Sequence, residues 1–265
     1  MRKAALAILV LFFFVLTGTA LASSEQAYKD YLFQFDQYRA KETDFRVAKT
    51  EYQKFRSLNS EAAALEKTKT FLGQRNQLLR AYLSVLNEKL NEDRGLNGSE
   101  KLLYQRLIQN EVVFLDGHTA LIPSIGSLED TERVSEQLTD HYEVLAASMR
   151  QTIAGIGLGQ LAALAKEYDD AVTSAQFVLA TNRGAFTPQK QATLDRWILS
   201  ITNKRSLYTQ KVNAINLASS QMDGDIAEID RTFAQIQRDI AEARQYLSEG
   251  TSFLGELVTA LKYQD

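Results

Sequence analysis

The feature that most constrains this chain is an unbroken heptad stripe near its C-terminal end. Ile226, Ile229, Phe233, Ile236, Ile240, Ala243, Leu247, Gly250, Leu254, Leu257 and Leu261 follow one another at alternating spacings of three and four residues. None is charged, and the residues between them are largely polar. An apolar stripe of that period, sustained over about five heptads, specifies one long helix with a coiled-coil-like seam. Gly250 inside the stripe costs about 1 kcal/mol of helix propensity relative to alanine, so it marks a close helix crossing.

The preceding segment carries the same pattern in Leu194, Ile198, Ile201, Arg205, Tyr208, Val212 and Ile215, with one polar exception. Thr187-Pro188 supplies an N-cap followed by proline at the first helical position. Asp223-Gly224-Asp225 supplies the chemistry of a turn. Two long helices joined this closely form an antiparallel hairpin.

The first half of the chain repeats this logic. Tyr31, Tyr38, Phe45 and Tyr52 recur every seven residues, flanked by Tyr28, Phe35 and Phe55, and the spacing predicts a buried aromatic seam rather than a stacking platform for glycans. Leu58, Leu65, Leu72, Leu79 and Leu86 recur likewise, and Ser57, Asn59 and Ser60 place a turn between the two series. Gly95 to Ser99 ends the second helix, and Ser99 caps a third running to about Leu115. Residues 116–126 read as the longest irregular stretch. Ser127 with Asp130 then opens a helix carrying Val134, Leu138, Tyr142, Leu145, Met149 and Ile153 on one face. Gly155, Gly157 and Gly159 together cost about 3 kcal/mol of helix propensity and predict a kink or break there. The pattern resumes through Leu161, Leu164, Tyr168, Val172 and Val178, and stops at Asn182-Arg183-Gly184. No segment alternates as a strand does. Only 2 prolines occur in 265 residues, which permits very long helices. The fold class is all-α: an elongated antiparallel bundle of five to seven long helices with coiled-coil-like seams, with candidate subdivisions near 116–127 or 182–187.

The N-terminus bears on the compartment. Arg2 and Lys3 precede an apolar run from Ala4 to Leu16, Thr17 and Gly18 break it, and Ala20-Leu21-Ala22 presents small residues where a signal peptidase reads them. This is the layout of a secretory signal over residues 1–22, cleaved between Ala22 and Ser23. The alternative is a retained N-terminal anchor, since Ala4 to Ala22 spans about 28 Å as a helix. Either way, residues 23–265 form the helical-bundle domain, placed in the periplasm, the cell envelope or the extracellular space. Losing Arg2 and Lys3 turns a balance of 30 Lys+Arg against 33 Asp+Glu into a net charge of about −5. A mildly acidic chain without a basic block argues against nucleic acid and anionic membrane surfaces as partners. With 0 cysteines, stability rests on core burial alone. Gln151 to Ala165 is uncharged but too short to span a bilayer, so the mature chain carries no membrane span.

Candidate sites resolve into structural roles. The glycine triplet fails the dinucleotide fingerprint, because residue 160 is Gln160 and no strand precedes it. His118 and His141 lack the glutamate three residues upstream that a di-iron bundle requires, since those positions are Leu115 and Leu138, and they read as rim residues. Asp223, Gly224 and Asp225 do not continue as a calcium loop: Ala227 and Glu228 stand where its fifth and sixth positions fall. No catalytic, cofactor-binding or metal-ligating residue is assigned, and no cofactor is expected.

Ala48-Lys49-Thr50-Glu51-Tyr52, Thr68-Lys69-Thr70-Phe71-Leu72 and Arg244-Gln245-Tyr246-Leu247-Ser248-Glu249-Gly250 resemble segments of exported long-helix proteins of bacteria. That resemblance implies the fold and compartment already read from the pattern, and it transfers no functional residue. The expected function is a non-enzymatic interaction or scaffold role, with a protein partner or self-association along helix faces. The alternatives are an extracytoplasmic holdase chaperone and a hydrolase using paired carboxylates in the 116–127 loop or near the glycine triplet.

Overall fold

The structure, a computed structural model, describes residues 23–262, so the expected signal peptide lies outside the described residues. Among these, six α-helices and two single 3-10 turns account for nearly all of the chain, and there is no strand. They are α1 (Ser24–Phe55), α2 (Leu58–Glu92), α3 (Gly98–Leu121), α4 (Leu128–Asn182), α5 (Pro188–Ser220) and α6 (Ile226–Lys262). The 3-10 turns are Ile122–Ser124 and Arg183–Ala185. None of these helices is long and apolar enough to cross a membrane.

Side-chain caps set the helix starts. The Ser23 hydroxyl accepts from the Gln26 amide at 3.3 Å, and Thr187 accepts from Lys190 at the same distance. Ser57 with Ser60, Asn97 with Glu100, and Ser127 with Asp130 form reciprocal capping boxes. Asp225 accepts from the Glu228 amide at 2.8 Å, opening α6 after Gly224, whose φ of 96° is a conformation that glycine adopts without a Cβ penalty. The α1–α2 hairpin closes at its far end, where the Ser24 amide and hydroxyl both donate to the Glu92 carboxylate at 2.8 and 2.6 Å.

Three expectations are corrected. The third helix is capped by Asn97, not Ser99, and it runs to Leu121 rather than Leu115. The heptad continues through it as Tyr104, Ile108, Glu111, Leu115 and His118, all buried, so packing extends the helix past Gly117. The glycine triplet causes no break. α4 is continuous over 55 residues, or about 82 Å. Its glycines are close-packing points: a Cβ on Gly155 would lie 2.3 Å from the Tyr104 ring, and one on Gly159 would lie 2.3 Å from the Asp93 carboxylate. The backbone approach gained there offsets the lost helix propensity.

The third correction concerns α1. Its only buried residues are Ala27 and Ala48. Tyr31, Tyr38, Phe45 and Tyr52 are half-buried against α2, while Tyr28, Phe35 and Phe55 are exposed. The rings form a contact ladder, with Tyr31 on Tyr82 at 5.4 Å, Tyr38 on Phe71 at 5.3 Å and Phe45 stacked on Phe71 at 5.0 Å. An arm packed chiefly on one neighbour has a one-sided seam, so the series cannot be fully enclosed. Leu58, read as the first of the leucine series, opens α2 and is 84% exposed.

Two cores share α4. Leu83, Leu86, Leu90, Ile108, Leu115, Leu138 and Leu145 join α2, α3 and the first half of α4, with a small satellite around Leu72, Ile122, Ile125 and Val134. Leu161, Tyr168 and Leu179 of the second half pack with Leu194, Ile201 and Ile215 of α5 and Ile229, Ile236, Leu247 and Leu257 of α6. The C-terminal heptad stripe is buried along this contact as expected, and Gly250 meets the Tyr168 ring so closely that a Cβ would lie 2.9 Å from it.

Candidate functional site

The polar chemistry of the bundle is concentrated inside the first core, on seam positions that would ordinarily be apolar. Glu111 on α3 is 2% exposed. Its Oε2 lies 2.7 Å from Nε2 of His141 on α4, and its Oε1 accepts from the Ser148 hydroxyl at 2.9 Å. The His141 ring stacks on Phe114 with centroids 3.6 Å apart. Thr152, one turn beyond Ser148, donates to the Ser148 carbonyl at 2.8 Å.

Two turns away along α3, His118 is 3% exposed. Its Nε2 lies 2.7 Å from the Val134 carbonyl, which can only accept, so that nitrogen carries the proton. Nδ1 is then the acceptor for the Asn76 amide at 2.8 Å. The same Asn76 amide donates to Thr119 at 2.9 Å, while its own Oδ1 has no partner. Burial pushes the His118 pKa below its ordinary 6.5 despite the bond to Val134, and the nearby Arg75 cation acts in the same direction.

What these groups can do follows from their order. Ser148 donates to the carboxylate, not to an imidazole, so Glu111 stands between the hydroxyl and His141. A nucleophile–base relay needs the imidazole in the middle. The arrangement instead ties α3 to α4 at one longitudinal position, because a shift in register would strand a buried carboxylate. His118 likewise ties α3 to both α2 and α4. The expectation that both histidines sit on the rim is therefore corrected for His118, which is enclosed, whereas His141 is half-buried at the rim, and both brace the core. Of the acids near the glycine triplet, Asp93 anchors a loop: its Oδ1 accepts from the Gly95 and Leu96 amides at 2.9 and 2.8 Å. Among the described residues, no group of three or more His, Asp or Glu is placed to hold a metal ion.

Outside the core, two clefts open between α1, α2 and α4. The first, about 380 Å³, is lined by Phe45, Lys49, Thr68, Phe71 and Thr131 among others. The second, about 570 Å³, lies between Tyr38 of α1, Arg75 and Leu79 of α2, Leu138 and Tyr142 of α4, and Ile226 at the start of α6. Arg75 is the unusual group there, for its Nε and Nη2 are shut off from solvent with no hydrogen-bond partner. Burial lowers its pKa, which neighbouring Tyr38 partly counteracts.

The sequence reading missed Asn76, Glu111, Ser148 and Arg75. The first three had a legible signal. Leu72, Asn76, Leu79, Leu83, Leu86 and Leu90 continue one seam at spacings of four and three, as do Ile108, Glu111, Leu115 and His118, and Leu138, His141, Leu145 and Ser148. A polar residue on a seam position is the mark of a core bridge. Arg75 neighbours the seam rather than occupying it, and nothing in its spacing distinguishes it. No family model, curated protein or solved structure matches this chain.

Proposed function

We propose that this chain is a non-enzymatic interaction or scaffold protein acting outside the cytoplasm, and that it engages a protein partner through α1. The observation that carries this reading is the imbalance of α1. The helix buries two alanines yet leaves Tyr28, Leu32, Phe33, Phe35, Val47 and Phe55 in water, with Phe33 60% exposed. Single exposed apolar residues are ordinary, but a series of this size along one helix marks an interaction surface. Export fits the same reading. Cleavage after Ala22 would leave Ser23 in place as the α1 cap, so the mature chain would begin where its first helix begins. The heptad pairing of α5 with α6 is read as a coiled-coil hairpin that stiffens the opposite end.

A photo-crosslinker placed at Phe33 in the full chain, expressed in its native envelope and followed by mass spectrometry, tests the proposal. One recurrent protein adduct is expected, lost when Phe35 and Phe55 are replaced by Glu. A crosslinker at Phe33 that captures nothing above the level of one on exposed Arg238 would refute it. The two clefts beside α1 favour a second reading, an extracytoplasmic holdase, in which they shield unfolded chains. That reading predicts suppression of aggregation of a reduced, unfolding client by the purified protein. A soluble scaffold with a defined partner leaves the aggregation rate unchanged.

A further inference from the structure

We infer that the cleft around Arg75 is a binding site for a small organic monocarboxylate with an apolar body. The inference does not depend on the role proposed for α1. It starts from how guanidinium groups are satisfied elsewhere in the same bundle. Arg205 directs Nε and Nη2, one edge of its fork, at the two oxygens of Asp169, at 2.8 Å each. That is the bidentate pairing for which the guanidinium shape is suited. Arg75 holds the same two nitrogens cut off from water, and neither meets an acceptor. Arg80 of the same helix pairs with Asp116, and Arg150 of α4 pairs with Asp230. Arg75 has no ion pair of this kind, although one edge of its guanidinium is desolvated. Two desolvated N–H donors without an acceptor are a standing cost to the fold, and a carboxylate on that edge relieves it.

The surroundings restrict what brings the carboxylate. Leu79 and Leu138 line the cleft with Arg75, and Ile226 adds a further apolar wall. These give an apolar body a place to lie. Tyr38 and Tyr142 line it too, and their hydroxyls offer neutral hydrogen bonds. Glu143 also belongs to the lining and is exposed. Its negative charge opposes dianions and inorganic phosphate, while a single carboxylate held against Arg75 is compensated. The cleft volume of about 570 Å³ lies within the range of small-molecule sites. Because Nε and Nη2 are closed to solvent, admission of a ligand requires the side chains lining the cleft to part. The half-buried ring of Tyr38 on α1, which is held mainly by α2, is the side chain placed to do so.

Titration calorimetry on the purified full chain with sodium octanoate tests this, with octylamine and inorganic phosphate as comparators. Octanoate is expected to bind saturably at one site with a Kd in the millimolar range or tighter. Arg75→Met should weaken it roughly a hundredfold by removing two charge-assisted hydrogen bonds. Arg75→Lys, which keeps the charge but not the fork, should fall between. Arg80→Met, which alters a cation outside the cleft, should bind as the wild type does. Should Arg75→Met fail to fold, the wild-type protein still decides: octanoate must shift the Arg75 Nε–H resonance and phosphate must not. Absence of octanoate binding, equal binding by folded Arg75→Met, or equal binding of octylamine or phosphate would each overturn the assignment.

Discussion

Replacing Gly95 by alanine tests the closest backbone approach in the molecule. Gly95 lies in the connection between α2 and α3, pressed against the middle of α4. A Cβ added there would lie 1.7 Å from the Gly159 carbonyl oxygen and 2.9 Å from the Ala163 amide nitrogen. Both are backbone atoms of a continuous helix, so no rotamer change relieves the overlap. The connection must move, and movement breaks the bonds from the Gly95 and Leu96 amides to Asp93. Overpacking of a tight site costs about 1–3 kcal/mol. Losing two hydrogen bonds adds about 1 kcal/mol each. The sum is roughly 3–5 kcal/mol, or a fall in melting temperature of about 10 °C for a chain of this length. Gly117→Ala is the internal control. It lies within α3 with nothing inside 4 Å of the new Cβ, so it should gain about 1 kcal/mol of helix propensity and melt about 3 °C higher. Thermal and urea unfolding followed by circular dichroism read both. If Gly95→Ala is neutral or stabilising while Gly117→Ala behaves as expected, the packing of the 93–97 connection onto α4 is refuted.

Ile236→Asp with Ile240→Asp places two charges on the buried α6 stripe and should unfold the last helix, whereas Gln237→Asp with Arg238→Asp on the exposed face should change the urea midpoint little. Equal tolerance of the two pairs would refute the seam. Ser148→Ala removes a donor from the Glu111 carboxylate and should cost about 1–3 kcal/mol in the same assay. Because the folded pKa of His118 lies below its ordinary 6.5, the unfolded chain binds the extra proton first as pH falls. Stability should therefore decline below about pH 6.5, and His118→Gln, which keeps a donor for Val134 but cannot titrate, should flatten that decline. An unchanged slope in His118→Gln would show that the ring is not enclosed.

Several elements were legible because local chemistry and packing agreed. The Thr187-Pro188 start, the Asp223-Gly224-Asp225 turn and the stripe from Ile229 to Leu257 rest on caps, turn residues and period, and tertiary contacts reinforce each. The glycine triplet misled because helix propensity measures an isolated helix. In this bundle Gly155 and Gly159 let a tyrosine ring and a loop carboxylate sit on the α4 backbone, contacts that spacing alone does not reveal. The aromatic series of α1 misled for the opposite reason. Period shows which residues share a face, but not how many neighbours that face meets, and α1 packs chiefly on α2. The polar bridge of Glu111, His141 and Ser148 was half legible. Its positions belong to the heptads, whereas its pairing depends on the relative axial placement of α3 and α4.

The continuity of α4 has a geometric consequence. One uninterrupted helix carries both cores, so the azimuth of the α5–α6 hairpin about that axis, relative to α2 and α3, is set by residue count. Each residue turns the helix by about 100°, so one added residue between the two halves would swing them apart by that angle, and seven would nearly restore their alignment. The length of α4 thus acts as a gauge, fixing both how far apart the two ends of the protein stand and the directions in which they face.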